Sequence, residues 1–260
     1  MIHQIRFPYG TSEILLRSRR EIPDKFADSL SSFISFADND LNPSVKGSSA
    51  HRFNTTDTGL PIDASSEFIK FLDLLVELQK VNPNEHFFSD DGAVFFTQID
   101  RTNNKIVKDT DLTFNSRGIK TPFILDAVKH FLSYENNFDD FLIIYSNLYS
   151  ASGENEWRIQ VPELGSHNVD ADIGVLNSSV VVNEYDMTKP KTTVTKFGHT
   201  PLFTDPEYVL VNADSLTKAH ILSNAAHAFV HDLDFHNFAT ESNSKVMVKT
   251  KSGDIHSFPF

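Results

Sequence analysis

The sequence predicts an α+β fold: a mainly antiparallel sheet with three to four helices, and a C-terminal half rich in strands. Three observations carry this. Segments of helical period and segments of alternating period share one chain. They do not follow the regular strand–helix–strand succession of a parallel sheet. Several apolar segments are joined by short turn signals that suit hairpins.

Taken in order, Ile5, Phe7 and Tyr9 alternate and predict a strand, and Ile14-Leu15-Leu16 returns beside it across Gly10-Thr11. Pro23-Asp24 opens a helix on which Phe26, Leu30, Phe33 and Ile34 share a face. From Asp38 to Ala64 the chain is polar and is expected to be an arm, a functional loop or a segment ordered by a partner. Ser65 or Ser66 caps a helix to about Lys80 that is apolar around most of its circumference, which suits a core position. Residues 93–99 and Lys105–Lys108 read as a hairpin turned at Arg101–Asn104. Thr121 and Pro122 start a helix to about Tyr134.

The second half supplies strands at Phe141–Tyr145, Trp157–Val161, Val175-Leu176, Val180–Val182, Val194 to Phe197 and Val209–Val211. A helix follows over 215–231, and residues 245–256 form a hairpin turned at Ser252-Gly253. No internal repeat is present. The 260 residues suit one large domain or two small ones. If two, they divide into a helix-rich 1–135 and a strand-rich 136–260 that contains the 215–231 helix.

Composition excludes several functions. With 40% hydrophobic and 22% charged residues the chain suits a folded protein. A net charge of −12 opposes general nucleic-acid binding, which needs a basic surface. Without cysteine there is no disulfide, thiol nucleophile or iron–sulfur cluster. No apolar run reaches the roughly 20 residues that span a bilayer, and the N-terminus lacks a signal-peptide core, so a cytoplasmic protein without membrane contact is expected. Neither GxGxxG, a Walker loop nor a GxSxG elbow occurs.

The strongest candidate constellation is a histidine stripe. At about 100° per residue His220, His227 and His231 fall on one side of the 215–231 helix, together with Asn224 and Thr217. Leu222, Ala225 and Phe229 fall on the other. His227 and His231, four apart, would reach one metal ion, with Asp234 or His236 completing the shell and Asp232 close by. Ala228 stands where a zinc-protease helix carries its base, which argues against a protease. The competing reading is a solvated or hydrogen-bonded histidine face, which would also allow a pH-linked contact.

Weaker signals are Arg17, Arg19 and Arg20 as a local contact patch, and Lys189, Lys191 and Lys196 as a looser one. Asp38-Asn39-Asp40 begins like a calcium loop and then departs at Pro43. The pairs Asp170/Asp172 and Asp232/Asp234 read as turn or cap residues, and Glu154/Glu156 lacks the arginine and serine elements of a glycosyl-transfer motif.

With no catalytic signature, 23 Phe and a long polar stretch, the sequence points to a non-enzymatic interaction or assembly protein, such as a structural component of a larger, even viral, particle. Its partner would be a protein or a second copy, with no cofactor. The alternative is a metal-dependent hydrolase using a divalent ion such as zinc at His227 and His231.

Overall fold

A computed structural model describes residues 1–81, 98–100, 102–115, 118–162, 169–184, 206–225 and 232–258. The fold is α+β, and every strand pairing among these residues is antiparallel. The chain forms two compact units, Met1–Asp28 with Leu125–Phe260, and Ser29–Ile124. The first unit is discontinuous in sequence because the first hairpin pairs with a strand more than a hundred residues later.

In the first unit, β1 (His3–Tyr9) and β2 (Ser12–Ser18) make the predicted hairpin. Gly10 supplies the left-handed turn at φ 59°. The further strands are β6 (Phe141–Tyr145), β7 (Leu148–Ser152), β8 (Trp157–Pro162), β9 (Val169–Val175), β10 (Ser179–Glu184), β11 (Pro206–Ala213), β12 (Lys245–Thr250) and β13 (Ile255–Phe258). Eight strands form one sheet in the order β1-β2-β6-β7-β10-β11-β12-β13, and β8 pairs with β9 as a separate ribbon.

Alternation decides what each face buries. Leu142, Ala151, Val180, Val182, Tyr208 and Leu210 pack with Trp157, Ile159, Val161 and Val175 of the ribbon. Val181, Val209 and Val211, on the intervening positions, are buried as well. The centre of the sheet is therefore covered on both faces, and α5 (Leu216–Ala225) packs on β10 and β11. A second helix, α6 (Asp232–Glu241), precedes the C-terminal hairpin. That hairpin turns at Gly253, as predicted.

In the second unit, β3 (Pro61–Asp63), β4 (Gln98–Asp100) and β5 (Lys105–Val107) form a small sheet in the order β3-β5-β4. The β4–β5 turn is set by Asp100. Hydrogen bonds from the Asn103 side chain and the Thr102 amide hold its carboxyl below the usual 3.8. The first part of the expected hairpin strand, 93–97, lies outside the described residues. Helix α3 (Ser66–Val81) begins where Ser65 Oγ accepts from Phe68 N, and it buries Phe68 and Phe71 as its apolar circumference requires. Phe53, Phe68, Phe71 and Phe114 meet edge to face, with centroids 5.6–5.8 Å apart. Lys108 is fully buried among them, donating to the Leu112 carbonyl and lying over the Phe53 ring. Burial lowers its pKa, while Asp111 and Asp57 oppose the shift.

The unit boundaries fall inside α1 (Asp24–Asp40) and α4 (Lys120–His130), which ends in a π turn over Phe131–Glu135. The described residues thus hold six α-helices rather than three or four. One surplus helix, α2 (Ser49–Thr55), lies in the polar stretch expected to lack structure. Polar groups there satisfy one another. Asp40 accepts from Ser49 N at 2.8 Å and Ser65 Oγ at 2.5 Å, and Ser49 Oγ accepts from Ser65 N. Asp38 pairs with Lys120 at 2.7 Å. The carboxylates that resembled the start of a calcium loop are thus committed to helix ends and a lysine.

Candidate functional site

Strand β11 delivers the chain to Asp214 and Ser215, and α5 starts at Leu216. Ser215 Oγ accepts from Lys218 N at 3.2 Å, the cap the sequence placed here. Two other amides of the first turn are taken by a residue about ninety positions earlier. Asp126, on α4, accepts from Leu216 N at 2.7 Å through Oδ1. Its Oδ2 accepts from Thr217 N at 2.8 Å and from Thr217 Oγ1 at 2.6 Å. A carboxylate suits this place because unpaired amides and aligned peptide dipoles give a helix N-terminus partial positive charge.

Two lysines and a second carboxylate complete the cluster. Lys218 Nζ lies 2.9 Å from Asp214 Oδ2, a contact that stays partly solvated. Lys129 stands nearly one turn beyond Asp126 on α4 and feels the charges of both Asp126 and Asp214. Burial pushes the Asp126 carboxyl above its usual 3.8, against the pull of the Thr217 hydroxyl, the two amides and Lys129. Burial also pushes Lys129 below its usual 10.5, against Asp126 and Asp214. Two carboxylates facing two ammonium groups make a charge-balanced set. A lysine with lowered pKa within such a set is suited to proton transfer.

The folded protein releases the Lys129 proton at lower pH than the unfolded chain does. In that window it binds fewer protons than the unfolded chain, so stability rises with pH until about 10.5. Lys129→Met is expected to flatten that rise in urea unfolding measured from neutral pH upward. An unchanged slope in the variant would assign the rise to another group.

A cleft of about 490 Å³ opens beside Asp214. Its walls come from the β9–β10 turn, the end of β11, and the end of α6 with the turn that follows.

His220 is half-buried on α5, 3.2 Å from the Asn224 carboxamide that was expected on its side. Leu222 is buried as expected, but so are Thr217 and Ser223, because Asp126 and Asn183 reach the polar side of the helix. His227 and His231 lie outside the described residues, between the end of α5 and the start of α6. Asp232, Asp234 and His236 fall within α6. Among the described residues no group of three His, Asp or Glu could hold a metal ion.

Arg19 donates to Asp140 Oδ1 at 2.7 Å and to the Glu156 carbonyl at 2.8 Å, with its guanidinium 4.2 Å from the Trp157 ring centroid. Arg20 pairs with Asp139 at 2.6 Å, and Arg17 is half-buried on β2. Glu156 pairs with Arg158, and Asp172 is exposed on β9. Lys189, Lys191 and Lys196 lie outside the described residues. Among the described residues no helix is long and apolar enough to cross a membrane. Sequence reasoning missed Asp126, Lys129, Asp214 and Lys218 as a group. The one local signal was the cap at 214–215.

No family model matches the chain, and no curated protein matches it. Solved structures do. The flavin transferase ApbE from Vibrio cholerae matches with a TM-score of 0.74 at 14% identity, over 100% of this chain and 97% of that one. The ApbE protein from Thermotoga maritima matches at 0.72 and 11%, over 100% and 97%. The flavinyl transferase ApbE from Pseudomonas stutzeri, in its apo form, matches at 0.72 and 14%, over 100% and 96%. This whole-length likeness overturns the expectation of a structural, assembly or viral component, and with it the metal-dependent hydrolase. Missing linear motifs had suggested the former, but the cluster at α5 is drawn from positions about ninety residues apart and leaves no linear motif. The chain has the fold of the ApbE proteins.

Proposed function

We propose that this chain acts on a flavin, as a flavin transferase. The observation that carries the reading is the likeness of fold over the full length of proteins so named, not a fragment of them. The cluster at α5 supports it. Moving a group from one molecule to another needs a residue that takes or gives a proton, and fixed positive charge where negative charge develops. Lys129, with its pKa lowered by burial, fits the first role. Lys218 and the α5 N-terminus fit the second, and Asp126 holds that end of the helix in place.

The test is fluorescence titration of the purified protein with FAD, FMN and riboflavin. Saturable binding is expected for at least one, with a Kd within the roughly 1 μM–1 mM span usual for enzyme substrates. The double substitution Lys129→Met, Lys218→Met is expected to weaken it about tenfold or more, with an unchanged circular dichroism spectrum. Absence of binding by all three flavins at 1 mM would overturn the proposal.

A further inference from the structure

The cleft beside Asp214 has a chemistry of its own. Its volume of about 490 Å³ lies within the range of small-molecule sites, roughly 300–1,000 Å³. Three asparagines line it, Asn177, Asn212 and Asn243. Asn212 on β11 is the cross-strand partner of Lys245 on β12, so the two side chains project from the same face of the sheet. The charges are unequal in effect. Asp214 is already engaged by Lys218 at 2.9 Å, whereas no ion pair to Lys245 is seen among the described residues. In a chain of net charge −12, this wall therefore presents a cation with no ion-pair partner among the described residues, next to groups that both donate and accept hydrogen bonds. Leu176, half exposed at 53%, adds an apolar contact at the edge.

We propose that this cleft is a binding site for a small carboxylate that also carries amide groups, of amino-acid to short-peptide size. Lys245 takes the carboxylate, and Asn177, Asn212 and Asn243 pair with the amides. The same chemistry is presented by a free amino acid with an amide side chain, such as glutamine, and by the C-terminus of a peptide.

The backbone provides clean variants. Asn177 and Asn243 sit at positive φ, 43° and 51°, where glycine is at ease, so Asn177→Gly and Asn243→Gly delete the carboxamides without straining the turns. Lys245→Gln removes the charge from an exposed side chain. The probes are glutamine, N-acetyl-triglycine and N-acetyl-triglycine amide, each titrated by NMR chemical-shift perturbation. At least one of the two carboxylate probes is expected to bind, glutamine pointing to a free metabolite and N-acetyl-triglycine to a peptide end. Affinity should fall about tenfold in Lys245→Gln and several-fold in Asn243→Gly. If N-acetyl-triglycine binds, its amide should bind at least about tenfold more weakly. Binding unchanged in Lys245→Gln, equal binding of acid and amide, or no binding of either carboxylate would overturn the proposal. None of these readouts involves a flavin, so the result stands apart from the proposed transferase activity.

Discussion

Replacing Asp126 by alanine is expected to cost about 2–4 kcal/mol of stability and to loosen the start of α5 before anything else. The cost comes from what the carboxylate holds. It accepts three hydrogen bonds, two from main-chain amides of the first turn and one from the buried Thr217 hydroxyl. Bonds to a charged partner contribute about 1.5–3 kcal/mol each, and a lost N-terminal cap costs about 0.5–2. Desolvation of the carboxylate, visible in its raised pKa, offsets part of that sum. For a chain of this size the loss corresponds to a Tm lower by roughly 5–15 °C. Asp126→Asn, which keeps one acceptor oxygen, should lose less. Hydrogen exchange of the Leu216 and Thr217 amides reports the same event locally, and Asp126→Ala should leave them the fastest-exchanging amides of the helix. A variant as stable as the parent, with those amides still protected, would show that another group caps the helix.

The pH dependence of this residue follows from the direction of its shift. With its folded pKa above 3.8, the folded protein holds the Asp126 proton to higher pH than the unfolded chain does. This group therefore makes stability fall as pH rises from about 3.8 through the folded pKa, and level off above it. Asp126→Asn removes that component, so the parent's advantage over the variant should be larger in acid than at neutral pH.

What the sequence disclosed and what it withheld divide along a physical line. The β1–β2 hairpin, α3 and the C-terminal hairpin were legible because each is specified locally, by alternation around a glycine turn or by an apolar helix with a serine at its head. Sheet order was not. Nothing near Arg17 announces that it will lie opposite Leu142, or that β10 will sit between β7 and β11. Helix α2 was hidden because its interior is built from small and polar residues, with Phe53 as its one large buried side chain. The serine network beneath it has no hydrophobic period. The site at α5 was half legible: Ser215 reads as a cap, but the carboxylate that completes the cap comes from another helix. Of the histidine stripe only His220 lies among the described residues, on α5 beside Asn224, and angular position alone does not say what covers that side of the helix.

Trp157 carries the other large expected effect, and it separates two contributions of one side chain. The ring is buried at the head of β8, packed within the core between the sheet and the β8–β9 ribbon. It also forms the floor under the Arg19 guanidinium, which Asp140 and the Glu156 carbonyl hold in place. Trp157→Ala should cost about 3–5 kcal/mol, the usual cost of deleting a large aromatic from a core. It should also free Arg19, since the cation–π contact disappears with the ring. The indole nitrogen, however, is buried with no hydrogen-bond partner among the described residues. A donor left in that state costs about 1–3 kcal/mol. Trp157→Phe removes the unpaired donor and keeps an aromatic face, at the expense of some lost volume. It is therefore expected to lie within about 1 kcal/mol of the parent, in contrast to alanine. A double-mutant cycle with Arg19→Met should give a coupling of about 0.5–1 kcal/mol for the stacked pair, and a smaller one when Phe replaces Trp. If Trp157→Phe is as damaging as Trp157→Ala, the indole N–H has a partner after all, an internal water being the simplest, and the balance of effects at the ribbon must be redrawn around it.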